Sequence, residues 1–74
     1  MGKLRVLSGE EVCRTLEQHG FFAVRQTGSH RILQKRTAEG TVSVPVPLHD
    51  PVRRGTLLSI IRQSGLPKTL FETD

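Results

Sequence analysis

The chain has 74 residues, with 11 Lys and Arg against 7 Asp and Glu and a formal net charge of +4. A chain of this length is expected to form one domain over residues 1–74 and to bury only about 60% of the surface its unfolded form exposes, which argues against a deep catalytic cavity. The basic balance favours a polyanionic or acidic partner, and the apolar pairs Leu57-Leu58 and Ile60-Ile61, interrupted by Ser59 and Arg62, fall far short of the roughly 20 residues of a membrane span.

The opening run Met1-Gly2-Lys3-Leu4-Arg5-Val6-Leu7 has no sustained apolar segment and no small-residue cleavage site. A signal peptide is therefore not expected, and the predicted location is cytoplasmic with no membrane partner. Ser8 followed three residues later by Glu11 is a capping box, in which each side chain satisfies the other residue's backbone amide. Val12, Cys13 and Leu16 recur at helical spacing, Glu10 stands four residues before Arg14, and Gly20 can supply a left-handed stop. The spacing predicts a helix over Ser8–His19. Cys13 is the sole cysteine, which excludes an intramolecular disulfide, and its place on the apolar stripe favours a buried structural thiol over a nucleophile.

Phe21–Thr27 and His30–Arg36 read as two strands joined by Gly28-Ser29, the length and composition of a type II′ hairpin turn. Their alternation allows two core sets, Phe21 and Ala23 with Ile32, or Phe22 and Val24 with Leu33. Thr37-Ala38-Glu39-Gly40 is a second turn, and Thr41–Val46 alternates with Val42, Val44 and Val46 on one face. Pro45 and Pro47 cannot donate to a ladder, so the strand is expected to end there, along an edge. Thr56 is the expected N-cap of a second helix carrying Leu57, Ile60, Ile61 and Leu58, stopped by Gly65. Leu66, Leu70 and Phe71 then suit one further helical turn over the open end of the core.

The predicted class is α+β, in the order α-β-β-β-α, with a three-stranded antiparallel sheet and two helices on one face. Double-stranded-RNA-binding domains are built this way, and they recognise RNA mainly by shape and backbone.

The richest local feature is Gly28-Ser29-His30, which lies in a basic stretch with no acidic residue from Arg25 to Arg36. An imidazole with an ordinary pKa of about 6.5 serves as general base or general acid near neutrality. RNA can be cleaved without metal when its own 2′-OH attacks the adjacent phosphate, so a protein need only move protons and neutralise charge. Arg25, Arg31, Lys35 and Arg36 are candidate RNA-binding residues, since guanidinium suits phosphate, and the Gly28 and Ser29 amides can approach a backbone closely. Arg53 and Arg54 precede the second helix, whose N-terminal amides also favour anions. Residue chemistry alone leaves open a purely local hydrogen-bonding role for His30. His49, beside Asp50 and Pro51, is equally a second proton carrier or phosphate donor, or a residue that orients its loop. His19 suits the negative end of the first helix. The scattered histidines form no metal-ligand set, so neither a metal nor any other cofactor is expected. Phe21 and Phe22 are expected to serve the core rather than stack on bases.

Five stretches occur in order over nearly the whole chain: Ser8-Gly9-Glu10-Glu11, His19-Gly20-Phe21, Gly28-Ser29-His30, Val46-Pro47-Leu48-His49 and the run from Gly55 to Leu66. Together they resemble the HicA family of small toxin components, mRNA interferases of bacterial toxin–antitoxin pairs. The resemblance implies a double-stranded-RNA-binding-like fold, RNA cleavage dependent on His30, and neutralisation by a HicB-type antitoxin. The chain departs from the pattern at Arg31, where many relatives carry a second histidine, and in the short loop Asp50–Arg54. The competing readings are a non-catalytic RNA-binding module and a domain that binds an acidic protein.

Overall fold

The computed structural model of the chain describes residues 2–73. Its first helix, α1 (Gly9–Glu17), starts at the expected capping box: the Ser8 hydroxyl accepts from the Glu11 amide at 3.2 Å, and the Glu11 carboxylate accepts from the Ser8 amide at 2.9 Å. Val12, Cys13 and Leu16 face the core. The helix is shorter than Ser8–His19 because Ser8 is an extended cap and the closing turn begins at Gln18. In that turn Gly20 takes φ 96°, its amide donates to Glu17 at 3.4 Å, and the Phe21 amide donates to Leu16 at 3.1 Å. This paired closure needs a left-handed residue and aims the one after it at the helix's own apolar face. Phe21 is accordingly 3% exposed.

Three strands follow, β2 (Phe22–Thr27), β3 (His30–Thr37) and β4 (Gly40–Pro47), in the antiparallel order β2-β3-β4. Gly28 has φ 57° while Ser29 does not enter the positive region, the sign pattern of the expected type II′ turn. Neither anticipated core pairing is realised as written. Ala23 lies opposite Leu33 but Arg25 lies opposite Ile32, so an extra residue is accommodated between them. Such a bulge breaks strict alternation. Leu33 is fully buried and shares the core with Phe21, whereas Phe22 and Val24 remain 46% and 42% exposed.

Strand β4 also extends beyond expectation, through Pro45 opposite Ile32 and Pro47 opposite His30. The two prolines are spaced so that their missing donors fall on one side of the strand, and on an edge that side faces away from the ladder. Val44 and Val46, on the other face, are buried.

The second helix, α2 (Arg54–Ser64), begins ahead of the expected Thr56 cap, with Arg53 as an N-cap that makes no side-chain bond. Leu57, Ile60 and Ile61 are buried, Leu58 is half-buried, and Gly65 at φ 71° closes the helix as expected. A 3₁₀ turn, Lys68–Phe71, then places Phe71 in the core at 0% exposure. Two short strands with no counterpart among the sequence expectations, β1 (Lys3–Leu4) and β5 (Glu72–Thr73), pair antiparallel. The architecture is α+β, with a three-stranded antiparallel sheet and two helices in the arrangement of a double-stranded-RNA-binding domain. Its buried side chains form a core shared by α1, β3, β4, α2 and Phe71.

Gly9 lets the start of α1 pass close against the end of β4. A Cβ at this position would meet the Pro47 carbonyl oxygen and come within 2.7 Å of the Leu48 Cα. Gly9→Ala therefore destabilises the fold by about 1–3 kcal/mol through overpacking, despite alanine's better helix propensity. Gly55 responds oppositely, because a methyl group added there would have no neighbour within 4 Å: Gly55→Ala stabilises by about 0.4–1 kcal/mol. Urea titration of the two variants checks both signs.

Candidate functional site

His30 is the first residue of β3, and the tight turn before it leaves its side chain exposed on the rim of the sheet. The chain leaving β4 is pinned against that turn, with the Leu48 amide donating to the Ser29 carbonyl at 2.6 Å. One residue later the His49 carbonyl accepts from the Gly9 amide at 2.8 Å. That amide is one of the helix-start donors that no intrahelical partner can satisfy. These bonds bring His49 to the same groove as His30.

The groove has a volume of about 450 Å³ and runs between the Pro45–Pro47 end of β4 and α2, with Arg53 also lining it. Thr56, Ser59 and Gln63 present hydroxyl and amide groups along the helix side, over buried Ile60. The Ser59 hydroxyl accepts from the Gln63 amide nitrogen at 2.9 Å. Among the described residues, no carboxylate lines this groove. Two imidazoles that can carry protons, one guanidinium and several neutral donors make a setting suited to an anionic, proton-transferring ligand. Among the described residues, no group of three or more His, Cys, Asp or Glu side chains is placed to hold a metal ion.

Alternation along β3 divides the predicted basic residues between two faces. His30, Ile32, Gln34 and Arg36 share one face, with Arg25 opposite Ile32 on the neighbouring strand. Arg31 and Lys35 point with Leu33 to the helix side. There Arg31 makes a bidentate ion pair with Glu10 at 2.9 and 3.1 Å, and also reaches Gln26 at 3.3 Å. Glu10 thus turns to Arg31 rather than to Arg14. The hydrogen bond from Arg31 holds the Glu10 carboxyl below its ordinary range, and the same bond raises the guanidinium. Lys35 lies over Phe21, its ammonium 5.8 Å from the ring centroid. Gly28 and Ser29 form the turn beside His30, while Arg54 belongs to a separate cavity of about 270 Å³ with Arg5, Leu4 and Leu57. His19 binds the Thr15 carbonyl through Nδ1 at 2.9 Å, at the end of α1.

The groove residues missed in the sequence are Thr56, Ser59 and Gln63. Their spacing of three and four was a legible signal, a polar stripe beside the apolar one.

The fold and the groove together define a small basic protein of double-stranded-RNA-binding-like architecture that carries exposed imidazoles in a site lined, among the described residues, by no carboxylate. Residues 9–66 match the family described as the HicA toxin of bacterial toxin-antitoxin. That span is most of the chain, which belongs to the HicA toxin family, the toxin component of a toxin–antitoxin system with a cognate antitoxin as its partner. A comparison with curated proteins finds no match. No helix among the described residues is long and apolar enough to cross a membrane.

The Glu10–Arg31 pair sets a pH dependence. Because the folded-state carboxyl is depressed, its contribution to stability is present above the ordinary glutamate pKa and is lost as pH falls through the folded value. With the Arg31 and Glu10 side chains 23% and 61% exposed, the contribution is that of a screened surface pair. Arg31→Met should move the Glu10 midpoint upward in an NMR titration, and its stability difference from wild type should shrink in acid. Cys13 is 1% exposed and burial raises its thiol pKa. The native protein should therefore resist iodoacetamide at neutral pH and react only on unfolding.

Proposed function

We propose that the chain is a metal-independent endoribonuclease that cleaves mRNA in the cytoplasm and is held silent by a HicB-type antitoxin. The observation that carries this reading is the convergence of His30, His49 and Arg53 on one open groove that, among the described residues, no carboxylate lines. Membership of a toxin family supports the biological role, and an open groove suits a polymer gripped from outside.

The chemistry requires one proton to leave and another to arrive. His30, acting as general base, removes the proton from a ribose 2′-OH as that oxygen attacks the adjacent phosphorus. The bond from phosphorus to the 5′-oxygen of the next nucleotide breaks, and that oxygen takes a proton from an imidazolium. The products are a 2′,3′-cyclic phosphate and a free 5′-OH. His49 is the second proton carrier in this scheme, and Arg53 neutralises the charge that accumulates on the phosphorane oxygens. The alternative division of labour exchanges base and acid between the imidazoles. Arg25 and Arg36 share the sheet face of His30 and serve as phosphate binders, with the turn amides of Gly28 and Ser29 close to the strand. Arg31 and Lys35 are engaged on the helix side, so their part in RNA binding is secondary in this reading, and Arg54 contributes from outside the groove.

The test is incubation of purified protein with mRNA in EDTA. Wild type should cut, and His30→Ala should lose cleavage by about 10²–10⁴-fold while keeping its fold and RNA affinity. His49→Ala should fall between the two. Intact RNA with folded, antitoxin-free wild type refutes the nuclease reading. Salt-sensitive binding without product then favours a non-catalytic RNA-binding module, and absence of any RNA affinity favours a protein-interaction domain.

A further inference from the structure

We propose that single-stranded RNA reaches the His30 groove across the open face of the β2-β3-β4 sheet, and that Phe22 is the platform on which one of its bases stacks. This path rests on the reading of the chain as an RNA-cleaving toxin.

The cross-strand register places Phe22 beside Gln34 and Ser43, Arg25 beside Ile32 and Pro45, and Thr27 beside His30 and Pro47. Arg36, opposite Thr41, completes the same face. Among the described residues no acidic residue falls on it, and its Gln34 and Ser43 side chains are bonded to each other at 3.0 Å. Charge on this face is therefore of one sign and leads to the catalytic imidazole.

Phe22 is the outlier on this surface. Of the three phenylalanines, Phe21 and Phe71 are buried, whereas Phe22 is 46% exposed on an edge strand whose residues are all exposed. A large ring left in water forgoes hydrophobic stabilisation, and a flat ring on an open sheet is the element that stacks on unpaired bases of any identity. Along β3, Gln34 lies four residues from His30, about 13 Å at 3.3 Å per residue, so a single strand can touch both.

The helix route is less suitable. α1 presents Glu10, Glu11 and Glu17, and of these, among the described residues, only Glu10 has an ion-pair partner, Arg31. Duplex binding through that helix would press phosphates against carboxylates, whereas the sheet face imposes no such repulsion. Stacking on a ring reads no base edges, so this path predicts weak sequence selectivity.

The chain has no tryptophan, so Phe22→Trp introduces a unique fluorophore at the proposed platform. In a His30→Ala background, which leaves RNA uncut, a single-stranded oligoribonucleotide should quench this indole in a saturable manner. Phe22→Leu should weaken binding about tenfold or more, Phe22→Tyr should restore it, and Arg25→Ala and Arg36→Ala should each flatten the salt dependence. Thermal melts confirm that each variant is folded. Absence of quenching, with unchanged affinity in Phe22→Leu, overturns the path while cleavage by wild type leaves the nuclease reading standing. Quenching by the antitoxin but not by RNA, or a preference for duplex over single strand, also overturns it. Failure of wild type to cleave refutes the nuclease reading, while the quenching result still judges this face as an RNA platform.

Discussion

The approach of the α1 N-terminus to the end of β4 is the constraint on which the site depends. Gly9 has no side chain, and only for that reason can its amide reach the His49 carbonyl while the backbone passes against Pro47 and Leu48. The Leu48 amide is simultaneously committed to Ser29. Helix start, hairpin turn and strand end are thereby tied in one place, and histidines that lie far apart in the chain come to line one groove. The bonds that do this are all backbone bonds and make no use of either imidazole.

A second constraint is the two-residue period of β3. A basic stretch in sequence becomes two populations in space, because neighbouring residues leave opposite faces. Arg31 and Lys35 are drawn toward α1 and Phe21, where they offset a carboxylate and cover a ring. Arg36 and, across the ladder, Arg25 stay with His30. The protein thus uses part of its positive charge to hold its layers together and leaves the rest on the surface that carries the imidazole.

The edges of the sheet are treated differently. On β4, Pro45 and Pro47 remove donors next to the groove, so another strand cannot extend the ladder there. On β2, the bulge between Ala23 and Arg25 interrupts alternation and leaves Phe22 and Val24 in contact with solvent. One edge is closed to backbone pairing beside the site, while the other offers side chains rather than a regular strand.

The sequence by itself determined what local chemistry decides. The capping box at Ser8 and Glu11, the glycine stops at Gly20 and Gly65, the Gly28-Ser29 turn, the α+β order and the candidacy of His30 were all legible, because each depends on residues a few positions apart. The bounds of α1 moved inward by one residue at its start and two at its end, α2 took its cap at Arg53, three residues ahead of the expected Thr56, and β4 ran through its prolines because an edge tolerates missing donors. Tertiary structure alone decided the rest. It chose Phe21 with Leu33 as the core pair through a bulge that no local pattern announces, paired Glu10 with Arg31 instead of Arg14, and added the small β1-β5 sheet that pairs Lys3–Leu4 with Glu72–Thr73. It also assembled His30, His49, Arg53 and the polar stripe of α2 around one groove. Those choices require segments distant in sequence to meet, and the contacts that reward such a meeting exist only once the layers have packed.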